Sequence, residues 1–208
     1  MSDIKFVYFD VGGVLLLDYS GTDKWQQMKL DLGIVGDLDN IFEELWNKNN
    51  PRICIDCDVD KLFAEFKENT EIDVPENYSM LDDFINRFEL NESIWDLVKK
   101  TKQKYKVGLL TNMYPRMLEK IINKKLIPDI DWDVIVDSSI VKNKKPFDVF
   151  FDIAENKSGF SPEEIFFTDN QQRHVDAASK RGWKTMVYDP TDLEQSTFKL
   201  NQLLELDD

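Results

Sequence analysis

Asp10 ends a run of aromatic and β-branched residues, Lys5 to Phe9, and is followed at once by Val11, Gly12 and Gly13. A carboxylate brought by a strand tip onto two glycines can aim at a ligand while the backbone turns sharply and offers N–H groups to an anion. Further polar residues stand directly after apolar runs: Thr111 with Asn112, Asp137 to Ser139, Asp169 with Asn170, and Asp189. The chain has 26 Lys plus Arg against 40 Asp plus Glu, a formal charge of -14. A small anion would meet an unfavourable mean field, so a site for one needs cations or backbone N–H groups of its own. A run of cations occurs at Lys142-Asn143-Lys144-Lys145, just before Pro146. A solvated charge cluster is the lesser alternative, since Pro146 and the helix after it fix the register, and the choice between Lys144 and Lys145 stays open. The single histidine, His174, reads as a surface or helix-start residue. Cys54 and Cys57 form C-I-D-C with no second pair and no histidine pair, so they read as packing cysteines on a helix and not as a redox or zinc site.

The elements that must hold these residues follow from periodicity. Lys5 to Phe9 is a buried parallel strand delivering its carboxyl end into a loop. From Thr22 to Phe88 the spacing is helical and its aromatic stripes (Trp25, Trp46 and Phe63 among them) read as packing between helices, with substrate contact the lesser alternative. From Asn91 the chain alternates: a helix to Lys104, a strand Lys106 to Leu110, a helix Arg116 to Lys124, a strand Val134 to Val136, and a helix Phe147 to Asn156. A capped turn at Ser161-Pro162-Glu163-Glu164 leads into a strand Ile165 to Thr168, a helix His174 to Arg181, a strand Thr185 to Tyr188 and a last helix. Repeated strand–helix units predict an α/β fold, a Rossmann-like parallel sheet with helices on both faces, and an inserted all-helical cap. Ligands of such sheets sit at the carboxyl ends of the strands, where the polar residues named above fall. The expected division is residues 1–18 and 90–208 as core and 19–89 as cap.

The composition, 42% hydrophobic and 32% charged, is that of a chain able to bury a core. Its acidity argues against nucleic acid and anionic membrane surfaces as partners. The apolar amino-terminal run contains Asp10 and is too short to span a bilayer, so a cytoplasmic location is expected. A monomer or homodimer is expected.

Four fragments in order give these residues a context. F-D-V-G-G-V-L at Phe9 to Leu15 resembles the first motif of the haloacid dehalogenase superfamily. L-L-T-N-M (Leu109 to Met113) resembles its second motif, K-K-P-F-D-V-F (Lys144 to Phe150) its third, and I-F-F-T-D-N with A-A-S-K-R-G-W (Ile165 to Asn170, Ala177 to Trp183) its fourth. The subgroup written F-D-x-G-G-V, with a helical cap, is the most similar and includes sugar-phosphate phosphatases. The resemblance implies that Asp10 attacks phosphorus to form an aspartyl-phosphate, with Lys145 neutralising charge. It also implies that Mg²⁺ is held by Asp10, the Gly12 carbonyl and Asp169, and that Thr111 and the Asn112 backbone bind the phosphoryl oxygens.

Two departures stand out. Most phosphatases of the superfamily carry a second Asp where this chain has Gly12, and loss of a general acid or base typically costs about 10²- to 10⁴-fold. Turnover is then expected to be slow or restricted to good leaving groups unless another acid, such as Asp18 or a cap residue, substitutes. The fourth motif has Thr168 where an acid is frequent, and Arg173 where an acid or Asn is common, which weakens the expected metal set. The expected function is a Mg²⁺-dependent phosphatase for a small phosphorylated metabolite, such as a sugar phosphate. The alternatives are a catalytically impaired binding or regulatory protein, and a haloacid dehalogenase, against which the lack of Arg between Leu15 and Lys24 counts.

Overall fold

In the computed structural model, which describes residues 4–206, strand β1 (Phe6–Phe9) is buried at all four positions. An apolar run with no polar alternation must be covered on both faces. The flanking strands do the rest: β4 (Lys106–Thr111) and β6 (Ile165–Asp169) pair with β1 in parallel. Outside them lie β5 (Val134–Asp137) and β7 (Lys184–Val187), giving one five-stranded sheet in the order β5-β4-β1-β6-β7, parallel throughout. The strand order reverses at β1, the place in such sheets where a crevice opens at the carboxyl ends.

Alternation along β1 feeds two cores. Val7 and Phe9 join Val107 and Leu109 on one face. That face is covered by α5 (Glu92–Lys104), α6 (Met117–Asn123) and α10 (Leu193–Leu203), through Ile94, Ile121 and Leu200. Phe6 and Tyr8 join Phe150, Phe151 and Ala178 on the other, from α8 (Asp148–Ser158) and α9 (Gln172–Lys180). Gly108 lies where β5 and the β1 rings come close: a Cβ there would be 2.7 Å from the Val134 carbonyl oxygen and 2.8 Å from the Tyr8 ring.

Between β1 and α5 lies the helical insert: α1 (Lys24–Asp31), α2 (Asp37–Asn49), α3 (Val59–Glu68) and α4 (Met80–Asn86). Its stripes meet as expected; Trp25 lies 4.6 Å from Trp46 and 5.7 Å from Phe42, ring centre to ring centre. Asp58 and Ser79 cap α3 and α4 by accepting from Asp60 N–H and Asp82 N–H. Buried Lys29 pairs with Asp39 at 2.6 Å and Glu43 at 2.7 Å, joining α1 to α2.

Three details differ from the sequence expectation. Two-residue strands β2 (Leu16–Leu17) and β3 (Glu89–Leu90) pair antiparallel at the two ends of the insert. A four-residue helix α7 (Ser138–Val141) follows β5, capped by Asp137, whose Oδ1 accepts from Ser139 N–H and Oγ. The Cys54–Cys57 stretch is turn and not helix, and Cys54 has φ 59°. The capping box at Ser161 and Glu164 is present. Among the described residues, no helix is long and apolar enough to cross a membrane.

Candidate active site

Asp10 follows β1 directly. Its N–H donates to the Thr168 carbonyl (3.0 Å), and its Oδ1 accepts from Val11 N–H (2.8 Å), which fixes the carboxylate at the sheet edge. Gly13 turns the chain with φ 74°, and a side chain there would collide with Asn170 at 2.1 Å. Asp169 ends β6 beside Asp10. Its Oδ1 accepts from Gln171 N–H (2.7 Å), a turn that starts α9.

Lys145 joins the two acids from below. Its Nζ lies 3.0 Å from Asp10 Oδ1 and 2.6 Å from Asp169 Oδ2, and donates to the Leu110 carbonyl at 2.8 Å. The choice within the lysine run is thereby made, because Lys144 turns away to the Ile53 carbonyl at 2.8 Å. Asn112 holds the Lys145 backbone by a reciprocal pair: its Oδ1 accepts from Lys145 N–H (2.9 Å) and its Nδ2 donates to Lys145 C=O (3.1 Å). Thr111 ends β4 on the wall of the same cavity, and its buried hydroxyl has no hydrogen-bond partner among the described residues. A buried hydroxyl left unpaired is expensive unless a ligand completes it.

Burial, reinforced by the charge of Asp169, pushes the Asp10 carboxyl up to about 7 against the pull of Lys145. Burial acts on Asp169 in the same sense, but Lys145 and His174 prevail and hold its carboxyl well below the usual range. Burial works against the Lys145 ammonium, yet the two carboxylates keep its pKa above the ordinary value. Two carboxylates against one ammonium leave net negative charge, which suits a cation.

His174 is a helix-start residue, as read from the sequence, but not a surface one. It sits in the first turn of α9 but is 4% exposed, with Nδ1 3.1 Å from Asp169 Oδ2. Since ionised Asp169 only accepts, Nδ1 carries the proton, and Nε2 is buried without a partner among the described residues. Burial lowers the His174 pKa, so the ring is neutral. Ligand atoms of Asp10, Asp169 and His174 all lie within 4.8 Å of one another, a donor set that fits a divalent cation. Arg173 is exposed on the cavity wall, so the side chain that reaches Asp169 is one residue later than the motif position.

The cavity, about 420 Å³, is bounded by Asp10, Thr111, Asn112 and His174 on the sheet side and by Tyr19, Trp25, Trp46 and Phe84 on the other. Asp18 also lines it; burial raises its carboxyl above the usual range. Phe63 does not line it, but packs against Tyr78 at 4.7 Å. Cys54 does, with a thiol that burial pushes up to about 12 and so keeps un-ionised at neutral pH. Asp137 and Asp189 are spent on caps and turns, Asp189 on Thr191 N–H and Oγ1.

The model of the haloacid dehalogenase-like hydrolases matches residues 33–188. The chain belongs to that family. Among solved structures, this haloacid dehalogenase-like hydrolase is similar to a predicted HAD-like family hydrolase of Porphyromonas gingivalis, with TM-score 0.77 and 20% identity over 98% of this chain and 99% of that one. It is similar to a HAD family enzyme of Bacteroides thetaiotaomicron in complex with magnesium and inorganic phosphate, with TM-score 0.67 and 18% identity over 89% and 94%. It is also similar to an L-2-haloacid dehalogenase of Xanthobacter autotrophicus with chloropropionic acid covalently bound, with TM-score 0.61 and 16% identity over 89% and 77%. At these identities the likeness establishes the fold. No curated protein matches the sequence.

Proposed function

We propose that this hydrolase is a magnesium-dependent phosphatase that cleaves a small phosphorylated metabolite, such as a sugar phosphate, through an aspartyl-phosphate on Asp10. The observation that carries the reading is the buried Asp10–Lys145–Asp169 cluster facing the unpartnered Thr111 hydroxyl across one cavity. Asp10 is the nucleophile. Lys145 holds it in place and offsets charge as it bonds to phosphorus, and the Thr111 hydroxyl with the Asn112 N–H takes the phosphoryl oxygens. Asp10, the Gly12 carbonyl and Asp169 would hold Mg²⁺, which supplies positive charge against the repulsion between carboxylate and phosphate. His174 keeps Asp169 oriented by donating from Nδ1. In this reading residues 19–89 are the cap, and Tyr19, Trp25, Trp46 and Phe84 set which leaving group fits. The magnesium and phosphate in the Bacteroides relative support it.

A second reading is dehalogenation. Dehalogenases are among the structural relatives, and Arg173 on the cavity wall is a cation that a substrate carboxylate would need. Phosphate release from aryl, sugar and nucleoside phosphates, with Mg²⁺ or a chelator, separates the two. We expect Mg²⁺-dependent turnover that Asp10→Asn abolishes. Wild type no faster than that variant on every compound would sink the phosphatase reading, and chelator-resistant halide release from a 2-haloacid would replace it.

A further inference from the structure

The space above Gly12 is filled from elsewhere in the chain. A Cβ on Gly12 would lie 2.2 Å from Asp18 Oδ2 and 2.9 Å from Asp18 Cγ. Gly12, unlike Gly13, is not among the residues with positive φ, so its backbone would accept a side chain and Asp18 is what stands in the way. The loop is built to bring Asp18 back. Leu15 and Leu16 N–H donate to the Val11 carbonyl, Gly13 N–H donates to Leu16 C=O (2.8 Å), and the β2–β3 pair anchors Leu16 and Leu17. Asp18 Oδ1 accepts from Ser20 N–H at 2.9 Å, which leaves Oδ2 over Gly12, in the cavity that Asp10 and Thr111 line.

We propose that Asp18 is the second catalytic carboxyl group of the site, standing where the side chain missing at position 12 would reach; this rests on the aspartyl-phosphate reading above. In the first half-reaction an Asp10 oxygen bonds to phosphorus, the bond from phosphorus to the ester oxygen breaks, and Asp18 gives that oxygen its proton. In the second, water bonds to phosphorus and gives its proton to Asp18, and the Asp10–phosphorus bond breaks. Inorganic phosphate leaves, and both carboxyl groups end as they began.

The test measures kcat/KM on an alkyl phosphate and on p-nitrophenyl phosphate, with thermal melting, for wild type, Asp10→Asn, Asp18→Asn, Gly12→Asp and Gly12→Asp with Asp18→Gly. An alkoxide needs a proton to leave and nitrophenolate does not. Asp18→Asn should therefore lose about 10²- to 10⁴-fold on the alkyl ester and less than about tenfold on the aryl ester. Gly12→Asp alone should melt lower and lose activity, because the two carboxyl groups compete for one space. Adding Asp18→Gly should restore the melting temperature and bring alkyl phosphate turnover to within about tenfold of wild type. Equal losses on both esters, or Asp18→Asn matching wild type while Asp10→Asn is inactive, would overturn the role of Asp18 and leave the phosphatase reading standing. A double variant that melts no higher than Gly12→Asp would overturn the shared space. Wild type no faster than Asp10→Asn would overturn both readings.

Discussion

Thr111 carries its hydroxyl into the cavity wall with nothing to bond to, although the residue is 1% exposed. Thr111→Val keeps the shape and removes the unpaired group. The melting temperature should stay level or rise, because an unsatisfied buried hydroxyl costs stability. Activity should fall about 10- to 10²-fold in kcat/KM, the worth of a hydrogen bond to a charged group. A lower melting temperature with unchanged activity would make the hydroxyl structural. At this scale the motifs were informative where strand ends alone were not: Asp10, Thr111, Lys145 and Asp169 come together around one site, whereas Asp137 and Asp189, also placed after strands, are spent on caps and turns. His174 was not legible. Whether it or Arg173 turns inward depends on the tight turn closed by Gln171 N–H on Asp169, and one residue of helical phase exchanges the two. The place of Asp18 was equally hidden, since it depends on a loop folding back over Gly12 and spacing carries no record of that.

Among the elements, Asp133 ties the start of β5 to its neighbours. Its carboxylate takes Lys102 at 2.6 Å, Lys106 at 2.9 Å and the Val107 N–H at 2.9 Å. Burial pushes its carboxyl up, but Lys102, the Val107 N–H and Lys106 prevail and hold it at about 2. The folded pKa lies below the unfolded one, so the stabilisation is present above about pH 4 and is lost as pH falls toward 2. Asp133→Asn should therefore cost about 1 kcal/mol in denaturant unfolding near neutral pH, since Lys106 is exposed and solvent screens part of the interaction, with the difference from wild type shrinking as pH falls through 2 and gone by about pH 1. A difference that persists unchanged in acid would assign Asp133 a role other than its charge. The five sheet strands and the longer helices of the core were legible because buried runs and helical spacing leave strong patterns, whereas the four residues of α7 do not. The β2–β3 pair was not: two residues per strand carry no period, and their partners lie at opposite ends of the insert.

For the whole molecule, a net charge of -14 and the proposed anionic substrate are reconciled by placement. Lys145 is buried within the acid pair, and a cation held by Asp10 and Asp169, as proposed, would bring further positive charge to where the sheet reverses its order. The helical insert contributes Trp25, Trp46 and Phe84 to the far wall of the cavity as an apolar boundary. Composition and periodicity identified the insert as helical, but which of its aromatic residues face the cavity is decided by tertiary packing: Trp25 and Trp46 do, Phe63 does not. Phosphorylation of Asp10 can be caught by acid quench of a single turnover with Mg²⁺ and an aryl or sugar phosphate, followed by peptide mass mapping. One phosphoryl group is expected on the peptide carrying Asp10, formed before phosphate appears in solution and absent from Asp10→Asn. Phosphate release by wild type with no phosphoryl group on Asp10 at any quench time, or with that group on another residue, would contradict it.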